Sequence, residues 1–382
     1  MNSILCRAIM KKFLYIILIG TILFNIAADI YAVNTGLDEN LKERIKRKII
    51  LDNKTETNVI YLKPDLIIGD IDNNETFLYR ISSVVADKNG NIFIAESEDH
   101  HIKVFNKYGE YLYIIGRPGQ GPGEFNYIGE MAIYKNKLYV YDYNNVRINV
   151  FRLTGKFVKS IPFKNREHIY GFVIDTYGNY YLSYYDVESE KVIHSYTQSG
   201  AHRFSFGKPA KLENKPVTKR IAISLHRAYC SQGKLCIYNN SIYYTQSNPF
   251  EIRVYSLNGK LQNTINRKIE LMPFIEIEVE EDGVMFYTPS KSDFITVWEN
   301  MIINAISVGY RVSDEIRSII DFYDMEGNLL HSEKLQISLT PEYIDLENNY
   351  LYCSIWDEAD NTEKIVRIKI ELDTRMPSAR QN

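Results

Sequence analysis

Composition, hairpin signals and an internal period together predict an all-β chain: a six-bladed β-propeller of four-stranded antiparallel blades, with the ring closed by an N-terminal strand that completes the last blade. Thirty Tyr and seventeen Phe, with plentiful Ile and Val, suit pleated, half-buried surfaces. The segment SVVADKNGNIFIAESEDHHIKVFNKYGEYLYIIG, Ser83 to Gly116, divides into four short strands with turns at Asn89-Gly90, Asp99-His100 and Tyr108-Gly109, and KNGN is a strong two-residue hairpin signal. The glycine of the third turn recurs at Gly109, Gly155, Gly200, Gly259 and Gly327, at spacings of 46, 45, 59 and 68 residues. A four-stranded unit with a period of about 45 residues is a propeller blade.

The elements follow in order. Residues 1–32 carry Arg7, Lys11 and Lys12, the apolar run FLYIILIGTILFNIAA and small residues up to Ala32. This is the layout of a secretory signal peptide, the alternative being an uncleaved anchor. Residues 33–55 are expected as a linker and 56–372 as the propeller. Its blades are expected near 83–116, 129–163, 170–207, 230–266, 274–336 and 341–371, and 373–382 as a C-terminal tail. The sixth unit, EYIDLENNYLYCSIWDEADNTEKIVRIKIEL, has only three strands, and an exposed edge there would invite aggregation. The strand over 59–69, VIYLKPDLIIG, ends like the outer strand YLYIIG and is expected to supply the fourth.

Two segments break the period. Lys208 to Tyr229 is rich in Lys and Arg and is expected over the top face; Ser290 to Arg317 is expected to interrupt blade five. The stretch Gly116 to Phe125, GRPGQGPGEF, invites a phosphate-loop reading. It lacks both GxGxxG and GxxxxGK followed by Ser or Thr, and MAIYKNKLYVYDY after it reads as strand. It is expected instead to carry the chain from the outer strand of blade one to the inner strand of blade two.

DKNGNIFIAESEDHHIKVFNKYGEYLYIIG, LYVYDYNNVRINVFRLTGKFV and the GRPGQGPGEF linker resemble NHL-type six-bladed β-propellers, in particular the exported bacterial "6-bladed beta-propeller" proteins. The resemblance is specific in the first two blades and a matter of pattern beyond residue 200. It implies a ring-shaped scaffold that different members use for different purposes.

Linkers and the loops between second and third strands share the top face. There the chain presents Glu96, Asp99 and His100 from blade one, Asp142, Tyr143 and Arg147 from blade two, Tyr184 and Asp186 from blade three, Gln246 from blade four, and Trp356 and Asp357 from blade six. Aromatic rings beside carboxylates and amides suit a glycan or a peptide. The expected function is therefore a non-catalytic binding scaffold for a glycan, peptide or protein partner, without a cofactor. Asp142 and Arg147 also fit a within-blade ion pair. The competing class is a metal-dependent lyase or lactonase. It would use zinc or calcium held by His100, His168, His226 or Glu130, although no HxH or HxxxH spacing ties these histidines together. Glu130 and Glu342 sit at channel entries, whereas Gly171, Ser231 and Ile275 occupy the matching positions without a carboxylate or amide, and no GxSxG elbow is present.

With 45 basic and 48 acidic residues interspersed and a formal net charge of −3, no field argues for nucleic acid or an anionic membrane. The expected state is a monomer, exported to the periplasm or the cell exterior, with no membrane span after signal cleavage. Three cysteines follow the apolar run; Cys230 and Cys236 either close a small loop or are buried apolar residues.

Overall fold

The computed structural model describes residues 39–52, 57–163, 168–209, 231–247, 250–267, 269, 276–279, 284–287, 290–309, 313, 315–357 and 361–375. Two units are distinguished, residues 1–46, in which 39–45 form a short helix, and residues 47–382, which hold every strand.

The strand unit opens with β1 (Arg47–Asp52) and β2 (Thr57–Ile68). Blade one is β3 to β6 (Ile81–Ala86, Ile92–Glu96, His101–Phe105, Tyr111–Ile115), and blade two is β7 to β10 (Ile128–Tyr134, Lys137–Asp142, Arg147–Arg152, Phe157–Pro162). Blade three is β11 to β14 (Gly171–Ile174, Tyr180–Asp186, Lys191–Tyr196, His202–Phe206), and blade four is β15 to β18 (Leu235–Tyr238, Ser241–Ser247, Phe250–Ser256, Leu261–Asn266). A separate hairpin follows, β19 (Glu276–Val279) and β20 (Val284–Tyr287). Blade five is β21 to β24 (Ser290–Trp298, Met301–Val308, Ser318–Tyr323, Leu329–Leu335). The last blade takes β25 (Leu339–Asp345), β26 (Tyr350–Asp357) and β27 (Thr362–Arg375) from the C-terminus and β2 from the N-terminus, paired antiparallel from Thr57↔Arg375 to Ile68↔Ile365. Each inner strand touches the next around the ring, and β25 meets β3 to close it.

The expected closing strand is thus in place, with two corrections around it. Residues 47–52, expected as linker, form a fifth strand of the last blade by pairing with β2, and β27 runs into the expected tail. Blade five begins at Ser290, so Ser290 to Val308 is not an insertion but the inner strand pair of that blade. The period is broken by β19 and β20, whose alternation in EIEV and VMFY imitates an inner pair. The true pair turns through Glu299 and Asn300 at φ 49° and 57°, a mirror-image turn without the glycine that marks such turns in sequence.

The repeat glycines explain how neighbouring blades meet. Gly109, Gly155, Gly200, Gly259 and Gly327 all sit at φ between 82° and 93°, and each N–H donates to the carbonyl three residues back. This is the left-handed end of a type I turn, where glycine is unstrained. A methyl group at these positions would meet Leu66, Ile115, Ile161, Phe206 and Ile265 respectively. In every case that residue belongs to the fourth strand of the preceding blade. The glycine therefore serves both the turn and the close approach of blade to blade.

Between the blades lie apolar clusters, such as Val85, Phe93, Val104, Phe125, Met131 and Phe151 at the first joint. The GRPGQGPGEF linker crosses there as expected, held from beneath. The Arg147 guanidinium donates to the carbonyls of Gln120, Gly121 and Glu124 at 2.9, 2.8 and 2.8 Å, and the Gly121 N–H is taken by the Glu124 carboxylate at 2.8 Å. An internal carboxylate thus holds the N–H that a phosphate cradle would offer to a ligand.

The joint makes a graded prediction. Gly155→Ala and Gly200→Ala impose the same backbone strain at φ 82° and 87°. At Gly155 the added methyl stands 3.3 Å from Ile115, whereas at Gly200 it overlaps Ile161. Urea unfolding should show a loss of about 1 kcal/mol for the first and about 3 kcal/mol for the second; equal losses would mean that only the turn matters.

Candidate functional site

The inner strands enclose a cavity of about 470 Å³ at the mouth of the central channel, and all six blades line it. What turns side chains into it is a recurring irregularity. The register of β3 against β4 slips at Ser82, that of β7 against β8 at Gly129 and Glu130, that of β21 against β22 at Asp293, and that of β25 against β26 at Glu342. A β-bulge re-aims the extra residue and bends the strand. The bulged residues Ser82, Glu130, Asp293 and Glu342 all line the cavity. Blades three and four contribute His168 and Tyr170, and Gln232 and Lys234, from the segments leading into β11 and β15.

Charges in the cavity are paired, one pair across blades and two within a blade. The Lys234 ammonium donates to Glu130 Oε1 at 2.7 Å. Burial works against this ammonium, but Glu130, Glu342 and Asp293 outweigh burial and hold its pKa well above the ordinary lysine range. Lys291 pairs with Asp293 at 3.0 Å, and Arg80 with Glu98 at 3.3 Å. Burial pushes the Glu342 carboxyl up to about 7, against the pull of Lys234 and of the Ser354 hydroxyl, which donates to it at 2.7 Å. Burial also lowers His168, keeping it neutral beside Lys234 and Lys291.

One wall is aromatic. Tyr127, Tyr143, His168 and Tyr170 form an edge-to-face series with centroids 5.9, 5.5 and 4.9 Å apart, and Gln232 donates to the Tyr170 hydroxyl at 3.1 Å. Arg80 and Tyr127, each just before an inner strand, have φ of 53° and 125°. Their carbonyls accept from the N–H groups of Ser97 and Tyr143 at 3.0 and 2.9 Å, so bonds to the second strand hold a strained backbone at the cavity rim.

Of the expected top-face residues only Tyr143 touches this wall, packed between Tyr127 and His168; the others fall elsewhere. Glu96, Asp142, Gln246 and Asp357 are buried, each joined to the residue seven positions on: Lys103 at 3.5 Å, Asn149 at 3.4 Å, Arg253 at 3.0 Å and Lys364 at 2.8 Å. In blades one, two and four the bonds reach on to the incoming linker: Lys103 to the carbonyls of Asn74 and Phe77, Asn149 to that of Glu124, and Arg253 to that of Lys208. Asp142 and Arg147 form the within-blade ion pair at 3.2 Å. These residues secure linkers and do not line the channel mouth. Asp99 is exposed, His100 sits in a turn at φ 56°, and Trp356 is exposed at the rim. Tyr184 and Asp186 open onto a different, lateral cleft.

Of the metal candidates, Glu130 and His168 line the cavity and His100 does not, while His226 lies outside the described residues. The bulged inner-strand positions hold three carboxylates, Glu130, Asp293 and Glu342, because the true counterpart of Ile275 is Asp293, while that of Ser231 is Lys234. Yet the Lys234 ammonium already stands where a cation bridging Glu130 and Glu342 would compete. A second group, Glu96, Asp99 and His101, has ligand atoms within 4.8 Å of one another. There Glu96 accepts from the Tyr79 N–H and faces His101 and Lys103 at 2.8 and 3.5 Å, so neither set fits a cation without displacing a lysine. Cys236 and Cys353 are free thiols; Cys230, and with it the alternative of a Cys230–Cys236 loop, lies outside the described residues.

A family model described as "6-bladed beta-propeller" (DUF5128) matches residues 71–299. The chain belongs to this family. Solved structures show the same fold for the six-bladed propeller. A member of the duf4221 family from Bacteroides vulgatus has 10% identity and a TM-score of 0.53 over 83% of this chain and 99% of its own. A Bacteroides fragilis protein described as exported has 10% identity and a TM-score of 0.52 over 86% and 96%. A streptogramin B lyase aligns at 11% identity over 82% and 98%, but at a TM-score of 0.47 it carries no argument. No curated protein matches the sequence. Among the described residues no helix is long and apolar enough to cross a membrane.

Glu342 gives the propeller a pH signature. Its folded pKa of about 7 lies above the ordinary 4.5, so below about pH 4.5 its protonation costs nothing, and stability falls as pH rises through about 7. Glu342→Gln removes this dependence. Urea midpoints followed from pH 5 to 8 should fall for the wild type relative to the variant, and parallel curves would show that Glu342 ionises normally.

Proposed function

We propose that this protein is an exported, NHL-type, non-catalytic binding scaffold that takes a glycan in the mouth of its central channel. The observation that carries the reading is the aromatic wall of Tyr127, His168 and Tyr170 in the same cavity as channel-facing polar groups supplied by bulged inner strands. Aromatic rings stack on the apolar faces of a sugar, while carboxylates and amides accept and donate to its hydroxyls. The cavity holds the carboxylates Glu98, Glu130, Asp293, Glu342 and Glu363 and the cations Arg80, Lys234 and Lys291. That excess of carboxylates favours neutral or amino sugars over acidic ones. Its volume of about 470 Å³ suits one to two sugar rings. The basic and then apolar segment of residues 7–28 supports export.

A glycan array probed with the mature chain should return neutral or amino-sugar hits. Tyr127→Ala and Tyr170→Ala should each weaken a hit by about tenfold or more while the melting temperature holds. Hits confined to acidic glycans, or hits insensitive to both substitutions, would refute the reading.

A further inference from the structure

A second cavity, of about 680 Å³, lies between blades two and three and is lined by Pro162, Phe163, Ile169, Leu182, Tyr184 and Tyr196, with Asp186, His194, Ala201, His202 and Ser205 at its polar end. It opens to solvent beside the exposed Ala201 and His202, and its apolar walls hydrate poorly. The rings are fixed: Phe163 meets Tyr196 edge-on at 5.0 Å, Tyr184 stacks on His194 at 3.8 Å, and the Tyr184 and Tyr196 hydroxyls bond each other at 2.7 Å.

The polar end has a direction set by one carbonyl. His194 Nε2 lies 3.1 Å from the Tyr184 carbonyl, which only accepts, so Nε2 carries the proton and Nδ1 is an acceptor. Burial, which lowers the His194 pKa to about 4, keeps the ring neutral. The Ser205 hydroxyl, 2.8 Å from that Nδ1, must donate to it, and so accepts from His202 Nε2 at 2.8 Å. In the Nε2–H tautomer that this series of bonds uses, Nδ1 of His202 is an acceptor on a residue that lines the cleft. Asp186 adds a carboxylate held ionised, against burial, by the N–H groups of Glu188 and Ser189 and the Ser189 hydroxyl.

We infer that this inter-blade cleft is a second ligand site, for an aromatic ring that carries a hydroxyl or amino donor. The apolar walls take the ring, and the acceptors His202 and Asp186 take the donor. The site is separate from the channel mouth and does not depend on the glycan reading, although Ile169 lines both.

The test is ligand-observed NMR with calorimetry on the mature chain, using tyramine and 4-ethylphenol as probes and 3-phenylpropionate as an anionic control. Both donors should bind saturably and the control at least about tenfold more weakly. Ala201→Trp, at an exposed position on the cleft, should abolish binding, His202→Ala should weaken it about tenfold, and Tyr170→Ala in the channel should leave it unchanged. No saturable binding, equal binding of the control, or binding indifferent to both cleft variants would overturn the inference.

Discussion

The structure depends on the contact between a glycine turn and the strand behind it. At five joints the turn between third and fourth strands presses a residue without a side chain against Leu66, Ile115, Ile161, Phe206 or Ile265 of the preceding blade. Positive φ and close approach coincide there, so one residue type fixes both the hairpin and the angle at which blades fan out. The ring then closes only if its last member finds a partner, and β2 supplies it along eleven paired positions of β27. Because closure joins the two ends of the strand unit, the edge that an open array would expose is covered.

A second layer of organisation keeps the face of the ring rigid. Glu96, Asp142, Gln246 and Asp357 are buried polar groups that the chain satisfies internally through partners seven residues on. Leaving any of them unpaired would be costly, and in blades one, two and four the partner also bonds the linker crossing above. With the linkers pinned, the residues that enter each inner strand are held in place. The strained Arg80 and Tyr127 and the bulged Glu130, Asp293 and Glu342 can then be presented to the channel.

This division explains what the sequence revealed. The glycine period and the KNGN-type hairpins are local signals, and they lead directly to the blades and to the closing strand. Blade five was hidden because the hairpin at 276–287 carries the alternation of a true inner pair; its own Glu299-Asn300 turn, like Lys135-Asn136 and Asn239-Asn240 in blades two and four, offers no glycine to correct the reading. That error moved the register, so Ile275 stood in for Asp293 and Ser231 for Lys234 at the channel. Bulges leave no pattern in a single sequence: Glu130 and Glu342 were legible as carboxylates at inner-strand entries but not as bulged residues, Ser82 and Tyr127 carried no such mark, and Asp293 was lost with the register of blade five. The conspicuous clusters EDHH and DYNNVR drew attention because they are dense in polar residues, and that density serves turns and clamps.

On the proposed function, ligand binds at the inner-strand entries and not on the rim loops. Hydrogen–deuterium exchange with and without a glycan hit tests it most directly. Slowed exchange at residues 127–131, 168–172, 231–235, 290–294 and 339–343 is the expected result, since these segments line the cavity from five blades. Slowing confined to the rim segments 99–100, 144–147 and 355–357 would contradict it and return the site to the loops.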